Sequence, residues 1–478
     1  MPFRPLNRTD LAGLRVTVMG LGLHGGGIAT ARFLAGSGAI VTVTDTKDEA
    51  SLAASLASLE GLPIRFVLGR HELEDFRGAD IVIKNPAVRP DSPYVLAAKA
   101  VETDVSLFLR FCPSPILAVT GSKGKSTAAT ALHHGLLGAG RRAFLGGNIT
   151  VSPLAFLEET GPDTPVVLEL SSWQLADMRG LGVLKPTIAL LTSIMPDHMN
   201  RYSSMEEYVA DKRLIYADQG GDCFTVLNRD DAWSPLFAAE TEAKVAWYAD
   251  DRVEAFAGEG FAGAWLEAGP GMAGGWGRGR CLASPGAETE SILPEALLVP
   301  GRHQRKNLLG AALALRLFGI EAAAIEAAMG SFKGVEHRLE AFAEKGGAVW
   351  YNDSAATIPQ AVAAALGSFD EPVVLITGGT DKNLDFEPVH DAYAGAKALV
   401  LLAGTGTDKL IEWLERDGTP YLGPFADLEK AVRTAAGLAA KGDRVLLSPG
   451  CASFGMFLHE FDRGKKFKET VRRVLGLG

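Results

Sequence analysis

The chain has 478 residues, 47% of them hydrophobic and 22% charged; at roughly 150 residues per domain it holds about three domains, and extended disorder or fibrous architecture is excluded. Its 47 lysines and arginines face 57 aspartates and glutamates, and the net charge of −10 opposes a nucleic-acid partner. Cys112, Cys223, Cys281 and Cys451 make no C-x-x-C pair, and no apolar run approaches the ~18 residues of a membrane span, so neither a zinc site nor a membrane partner is expected and a cytoplasmic location is.

Val16–Met19 reads as a strand, Gly20–Gly25 as a G-x-G-x-x-G turn, the residues through Leu34 as a helix and Ile40–Thr44 as a second strand. Asp45 stands 20 residues beyond Gly25, where a dinucleotide fold places an acid for the ribose, so one reading is an NAD-dependent oxidoreductase.

A second strand series opens with Ile116–Val119, which feeds Thr120–Thr127 and then a helix to about Leu137. Backbone N–H groups can wrap a phosphate closely where side chains are absent, as at Gly121 and Gly124. Lys125 adds a positive charge, and Ser126 or Thr127 can hold Mg²⁺. With Val119 at the first glycine position, the loop is a shortened relative of G-x-x-x-x-G-K-[ST]. Strands are expected at Val166–Leu168 and Ile188–Thr192, followed by Glu169 and by Asp197-His198, at strand ends where ligands bind in such sheets.

Ser203-Ser204-Met205-Glu206 predicts a capping box, starting a helix with Met205, Tyr208, Val209, Ile215 and Tyr216 on one face. Lys212 falls on that same face; from the helix alone its ammonium is expected to snorkel to solvent. The glycine- and alanine-rich stretch 253–300 is expected to form short strands and loops.

The third series has strands at Ala348–Asn352, Val373–Thr377, Ala398–Ala403 and Val445–Ser448, which implies a parallel sheet covered by helices. Its strand-end loops, Asp353-Ser354 with Thr357, Gly378–Lys382 and Ser448–Ser453, would share one edge and form a ligand site. The charges from Arg463 to Arg473 fall at helical spacing and read as a solvated face. Joints near Asp104 and Gly334 divide the chain into residues 1–103, 104–334 and 335–478.

In Val18–Gly25 with Asp45-Thr46, Thr120–Thr127, Gly146-Gly147-Asn148-Ile149, Leu168–Gln174, Pro196-Asp197-His198-Met199, Gly301-Arg302-His303 with Asn307, His337-Arg338-Leu339-Glu340, Asn352-Asp353-Ser354 and Ser448–Ser453, over nearly the whole chain, the sequence resembles the Mur ligases of peptidoglycan precursor synthesis. The resemblance implies an α/β protein of three domains: a Rossmann-like UDP-binding domain, a central P-loop ATPase-like domain and a Rossmann-like C-terminal domain. It implies that Gly22, Leu23, His24, Asp45, Thr46 and Lys47 bind the uridine nucleotide, and that Asn148 holds the muramoyl substrate. It also implies that Gly121–Thr127 bind ATP with Lys125 on the phosphates, that His303 and Asn307 approach the base, Arg338 the γ-phosphate and Asp353 the ribose.

Further implied are two Mg²⁺ ions, one on Ser126 and Glu169 and one on His198, with Lys212 carbamylated by CO₂ and able to sit near metal. Thr357, Lys382, Ser453 and Phe454 would receive glutamate. The implied activity is ATP-dependent addition of glutamate to UDP-N-acetylmuramoyl-L-alanine through an acyl phosphate, by a monomer whose third domain swings inward during turnover. The sequence departs from its relatives at Ala355, where many have lysine, at Thr150, where glycine is common, and at Glu460, where some have an aromatic residue. A non-catalytic nucleotide-binding scaffold is the reading these departures motivate.

Overall fold

Short apolar runs become strands buried on both faces, and three sheets form from them. The structure, a computed structural model, describes residues 7–22, 25–149, 151–197, 201–251, 262–268, 276–284, 287–382 and 384–477. The first sheet holds β1 (Arg15–Met19), β2 (Ile40–Asp45), β3 (Ile64–Leu68), β4 (Ile81–Lys84) and β5 (Val101–Glu102), all parallel, in the order β3-β2-β1-β4-β5. The order reverses between β1 and β4, where Val18 pairs with both Val43 and Ile83. A crevice therefore opens beyond the carboxyl ends of these two strands.

The second sheet contains β6 (Ile116–Thr120), β7 (Phe144–Gly147), β8 (Val166–Glu169), β9 (Ile188–Leu191), β10 (Phe224–Asn228), β11 (Lys244–Ala249), β12 (Ala262–Ala268), β13 (Trp276–Leu282) and β14 (Glu290–Leu293). Its order is β14-β13-β12-β11-β10-β9-β6-β8-β7, and only the pairs β12–β13 and β13–β14 are antiparallel. Val119 pairs with Glu169 on one side and Leu190 on the other. That register sets the loop after β6, the Glu169 carboxylate and the loop after β9 at one height.

The third sheet is built from β15 (Glu340–Lys345), β16 (Ala348–Asn352), β17 (Val373–Thr377), β18 (Ala398–Leu402), β19 (Leu422–Phe425) and β20 (Arg444–Leu447), in the order β15-β16-β20-β17-β18-β19. Leu447 pairs with Asn352 and with Ile376, so the loops after β16, β17 and β20 do share one edge. Departing from an all-parallel sheet, β15 runs antiparallel to β16, with Glu340 opposite Asn352.

The chain packs as two compact units, Met1–Glu295 with Lys306–Met329, and Ala296–Arg305 with Gly330–Gly478. In the first, one apolar core runs from Val16, Val43 and Ile83 through Val105 and Phe108 to Leu168 and Leu191. Phe108, on the helix Asp104–Phe111, meets Phe156 edge-on at 5.6 Å. The first two sheets are thus bonded by a shared interior. All four cysteines are free thiols, and among the described residues no helix is long and apolar enough to cross a membrane.

Two local expectations need correction. The helix expected after Ser203 runs from Met205 to Lys212 and then tightens into a 3-10 turn, Arg213–Ile215. Its cap is Ser204, which accepts from the Glu207 N–H, while the Glu207 carboxylate accepts from the Ser203 N–H at 3.0 Å, one residue later than the predicted box. The face Arg463–Arg473 is not uniformly solvated, because Arg463 is 1% exposed.

The helix Asp104–Phe111 is closed by a reciprocal box in which Thr103 Oγ1 accepts from the Ser106 N–H at 3.1 Å and Ser106 Oγ accepts from the Thr103 N–H at 2.8 Å, both buried. Thr103→Ala is expected to lower unfolding stability by about 1–2 kcal/mol, measured by chemical denaturation against the parent chain.

Candidate active site

The glycine turn after β1 and Lys125, which follows the glycine loop after β6, line one cleft of about 500 Å³ within the first unit. Gly20–Gly22 and Lys84–Ala87 line it from the first sheet, and Lys125, Gly147, Asn148, Ser171–Gln174, Tyr208 and Lys212 from the second. It lies beyond the carboxyl ends of β1, β4, β6 and β8, as the strand order requires.

The loop after β6 has little freedom. Gly124 has φ +89°, and a Cβ there would lie 2.3 Å from Asn307 Oδ1. Ser122 Oγ donates to Met195 O at 2.8 Å, accepts from Met195 N at 3.0 Å and accepts from the buried Tyr208 hydroxyl at 3.0 Å. Thr192 Oγ1 donates to Lys123 O at 2.6 Å, and Lys123 Nζ pairs with Asp197 at 3.1 Å. The loop opens the helix Lys125–Gly138, whose first-turn N–H groups have no intrahelical carbonyl to bond and suit an anion.

Lys125 Nζ donates to the carbonyls of Gly121 at 3.0 Å and Ser122 at 3.1 Å. Lys212 Nζ donates to the same Gly121 carbonyl at 2.7 Å and lies 4.6 Å from the centre of the Tyr208 ring. Lys212 is 1% exposed, so the snorkelling expected from its helix is overturned. The apolar stripe is packed under the phosphate loop, and the stem cannot reach water. Burial first, then the Lys125 charge, draws its amine down to about 7.

Beside the loop, Asn148 N donates to Glu169 O at 2.8 Å and Asn148 Nδ2 to Glu169 Oε1 at 2.9 Å. The other carboxylate oxygen, Glu169 Oε2, is buried without a hydrogen-bond partner. A buried carboxylate oxygen left in this state suits a cation, and Ser126, in the first turn of the neighbouring helix, carries a further hard oxygen of the kind Mg²⁺ takes.

In the first sheet, Asp45 Oδ2 accepts from the N–H groups of Leu21 at 2.9 Å and Gly22 at 3.1 Å, and Oδ1 accepts from Lys47 N at 2.9 Å. The acid assigned to a ribose in the NAD reading is spent on holding the glycine turn. Thr46 and Lys47 are exposed next to it. Leu23, His24, Thr150 and His198 lie outside the described residues.

In the second unit, Asp353 Oδ1 accepts from Leu339 N at 3.2 Å and Oδ2 from Ser448 Oγ at 2.7 Å; burial pushes its carboxyl up to about 7. Lys382 Nζ donates to Thr357 Oγ1 at 3.0 Å, Ser453 is buried and Phe454 is 63% exposed. Ala355 gives its N–H to His337 O at 3.0 Å, and Glu460 O accepts from Ser354 Oγ at 2.7 Å. Behind this loop the buried Arg463 donates to Ser354 Oγ at 3.0 Å, Ser354 O at 2.9 Å and Cys451 O at 3.1 Å. His303, on the helix Arg302–Leu317 that also carries Asn307, has its pKa lowered by burial.

Sequence reasoning missed several cleft residues. Tyr208 reads as core from periodicity, yet its hydroxyl holds Ser122. Lys84 closes a strand of four residues, too short to signal itself, and pairs with Asp177 at 2.7 Å where both are buried or nearly so. Asp104 lines the cleft at a helix start, its carboxyl raised by burial.

The lowered pKa of Lys212 makes stability depend on pH. Between about 7 and the ordinary lysine value of 10.5 the unfolded chain binds a proton that the folded chain does not, so folding gains stability as pH rises through that window and gains nothing below it. In CO₂-free buffer, Lys212→Met is expected to flatten this rise, measured by denaturant midpoints at pH 6 to 10 (about that window).

Family models match the chain in three consecutive stretches: the Mur ligase MurD-like N-terminal domain at residues 14–106, the Mur ligase middle domain at 119–315 and the Mur ligase glutamate ligase domain at 337–451. The UDP-N-acetylmuramoylalanine--D-glutamate ligase of Treponema pallidum (strain Nichols) is 43% identical, over 98% of this chain and 99% of its own. The protein of that name from Roseiflexus sp. (strain RS-1) is 44% identical, over 97% and 99%. Among solved structures, the UDP-N-acetylmuramate-alanine ligase MurC from Thermotoga maritima superposes with a TM-score of 0.58 at 19% identity, over 96% of this chain and 99% of that one, a likeness of fold. Neither the oxidoreductase nor the scaffold reading finds support, and on the full-length identity to its relatives the chain belongs to the Mur ligase family.

Proposed function

We infer that the chain is an ATP-dependent ligase that joins D-glutamate to UDP-N-acetylmuramoyl-L-alanine in peptidoglycan precursor synthesis. One observation carries this reading: the glycine turn of the first sheet, the phosphate loop with Lys125, the Asn148–Glu169 pair and Lys212 all line or adjoin a single cleft. The names of the full-length relatives supply the substrates. The free thiols suit a reducing cytoplasm.

The proposed division gives residues 1–103 to the uridine nucleotide, 104–334 to ATP and 335–478 to glutamate. Gly22, Leu23, His24, Thr46 and Lys47 serve the nucleotide, Asp45 does so by holding the glycine turn, and Asn148 serves the muramoyl chain. Residues Gly121–Thr127 wrap the phosphates, His303 and Asn307 flank the base, Asp353 serves the ribose, and Thr357, Lys382, Ser453 and Phe454 receive glutamate. Mur ligases use Mg²⁺, which when bound neutralises phosphate oxygens as the bond to the γ-phosphorus is exchanged. Ser126, Glu169 and His198 are the groups proposed to hold two such ions.

The alanyl carboxylate attacks the γ-phosphorus and ADP leaves, giving an acyl phosphate; the glutamate amine then adds to the acyl carbon, loses a proton and expels phosphate. Lys125 and Arg338 are the cations assigned to stabilise the charge that gathers in the first step. Lys212 has a further part. An amine whose pKa is about 7 is largely neutral slightly above that pH, so its lone pair can add to CO₂ with loss of a proton. The product, an anionic carbamate, replaces a costly buried ammonium with a charge that a nearby cation stabilises.

Phosphate release is expected only when ATP, UDP-N-acetylmuramoyl-L-alanine and D-glutamate are all present, read by phosphate assay and product mass; release without product, or none at all, refutes the ligase. Lys212→Ala is expected to lose at least about 100-fold in kcat and to regain part of it with added short-chain carboxylate. Full activity in that variant removes the carbamate role and leaves the ligase reading standing.

A further inference from the structure

The turn that carries Arg338 is held in a conformation its own residues disfavour. His337 has φ 66° and Leu339 φ 44°, the positive-φ non-glycine residues among those described. Side chains with a Cβ adopt such angles only where their surroundings impose them. His337 and Leu339 are buried, and Arg338 between them is exposed. The backbone thus turns two side chains inward to present the third.

The restraint on this turn is a chain of polar contacts. Glu340 Oε2 accepts from the His337 N–H at 3.0 Å and from Asn352 Nδ2 at 3.0 Å, and that same Asn352 nitrogen lies 2.8 Å from His337 Nδ1. On the far side of the carboxylate, Lys468 Nζ donates to Glu340 Oε1 at 2.8 Å and to Glu336 Oε1 at 2.8 Å. The donor atoms of Glu336, His337 and Glu340 lie within 4.8 Å of one another, a spacing that could suit a metal. The ammonium bridging the two carboxylates already supplies the positive charge there.

Lys468 sits one turn after Gly464 on the helix Glu460–Leu475. At Gly464 the helix comes so close to the turn that a Cβ would lie 2.2 Å from His337 Nδ1. The same helix thus packs against the His337 ring and neutralises the carboxylate that ties its N–H.

We propose that Lys468 is a positioning residue of the ligase: through Glu340 it holds the His337–Leu339 turn in the shape that presents Arg338. The inference rests on the reading of Arg338 at the γ-phosphate given above. Lys468 touches no substrate and acts by restricting where Arg338 can point. Two carboxylates left facing each other would repel, and the turn would relax toward ordinary backbone angles.

The test is a double-mutant cycle on the full chain with all three substrates. Lys468→Met is expected to lower kcat about tenfold or more and to raise KM for ATP, with KM for the UDP-sugar substrate changed less than about twofold. Lys468→Arg, which can still bridge both carboxylates, is expected to recover most of the loss. Against the residual rate of Arg338→Ala, adding Lys468→Met is expected to cost no further kcat.

Equal losses in both backgrounds, or full kcat in Lys468→Met, overturn the proposal. Full activity in Arg338→Ala overturns instead the role of Arg338, a separate outcome. If Lys468→Met does not fold, Glu340→Gln replaces it in the same cycle, since it keeps an acceptor for the His337 N–H and removes the charge that Lys468 pairs with; additive losses there also overturn the proposal.

Discussion

Two ammonium groups converge on one carbonyl oxygen, that of Gly121, at 3.0 Å from Lys125 and 2.7 Å from Lys212. A cleft meant to collect anions needs cations in place beforehand, and like charges at one acceptor raise the cost of each. The cost falls on the more buried group. Lys212, sealed beneath the loop against Tyr208, has its pKa drawn down to about 7, and so differs chemically from an ordinary lysine before any ligand arrives. The partnerless Glu169 oxygen is the complementary feature, a buried carboxylate oxygen with no donor beside it.

These two features meet because of strand register. Val119 of β6 sits between Glu169 of β8 and Leu190 of β9, so the phosphate loop, the acidic strand end and the segment through Ser193 and Asp197 leave the sheet together. Main-chain and hydroxyl groups then finish the loop: the Ser122 N–H donates to Ser193 O and Thr192 Oγ1 donates to Lys123 O. A glycine loop alone would be mobile; bonded to the strand beside it, its N–H groups can stay aimed at one place. That preorganisation separates a phosphate site from a turn.

The legible part of the sequence was the part governed by local pattern. Continuous apolar runs such as Ile116–Thr120 and Val373–Thr377 can form only buried strands, and glycine with lysine after the first of them has few other uses. β15 and β19 were illegible because Glu340–Lys345 is half polar and Leu422–Phe425 is an exposed edge interrupted by glycine and proline. β4 and β5 are too short to show a period. The burial of Lys212 and Arg463 was hidden for another reason. Each looks solvated on its own helix, and only the distant segment packed over it removes the water. Asp45 shows the converse: its spacing suggests a ligand acid, but its oxygens are occupied by the turn it follows.

The two units hold the groups proposed to meet phosphate in different ways. In the first, the Ser122 N–H on Ser193 O and the hydroxyls of Ser122, Thr192 and Tyr208 fix the loop, with Lys212 buried against it. In the second, the exposed guanidinium of Arg338 rides on a turn whose backbone would not keep its shape unaided, and the holding groups are buried or half-buried side chains: Glu340, Asn352, Lys468, and Asp353 on the Leu339 N–H. Ala355 fits this arrangement, since the loop it belongs to is pinned by its own N–H to His337 O and by Arg463 behind Ser354. The restraints on the first unit's loop run mostly through neutral hydroxyl and main-chain groups, whereas those on the turn run through the Glu340 carboxylate and the Lys468 ammonium. Charge changes far from substrate should therefore act on catalysis through the second unit more readily than through the first.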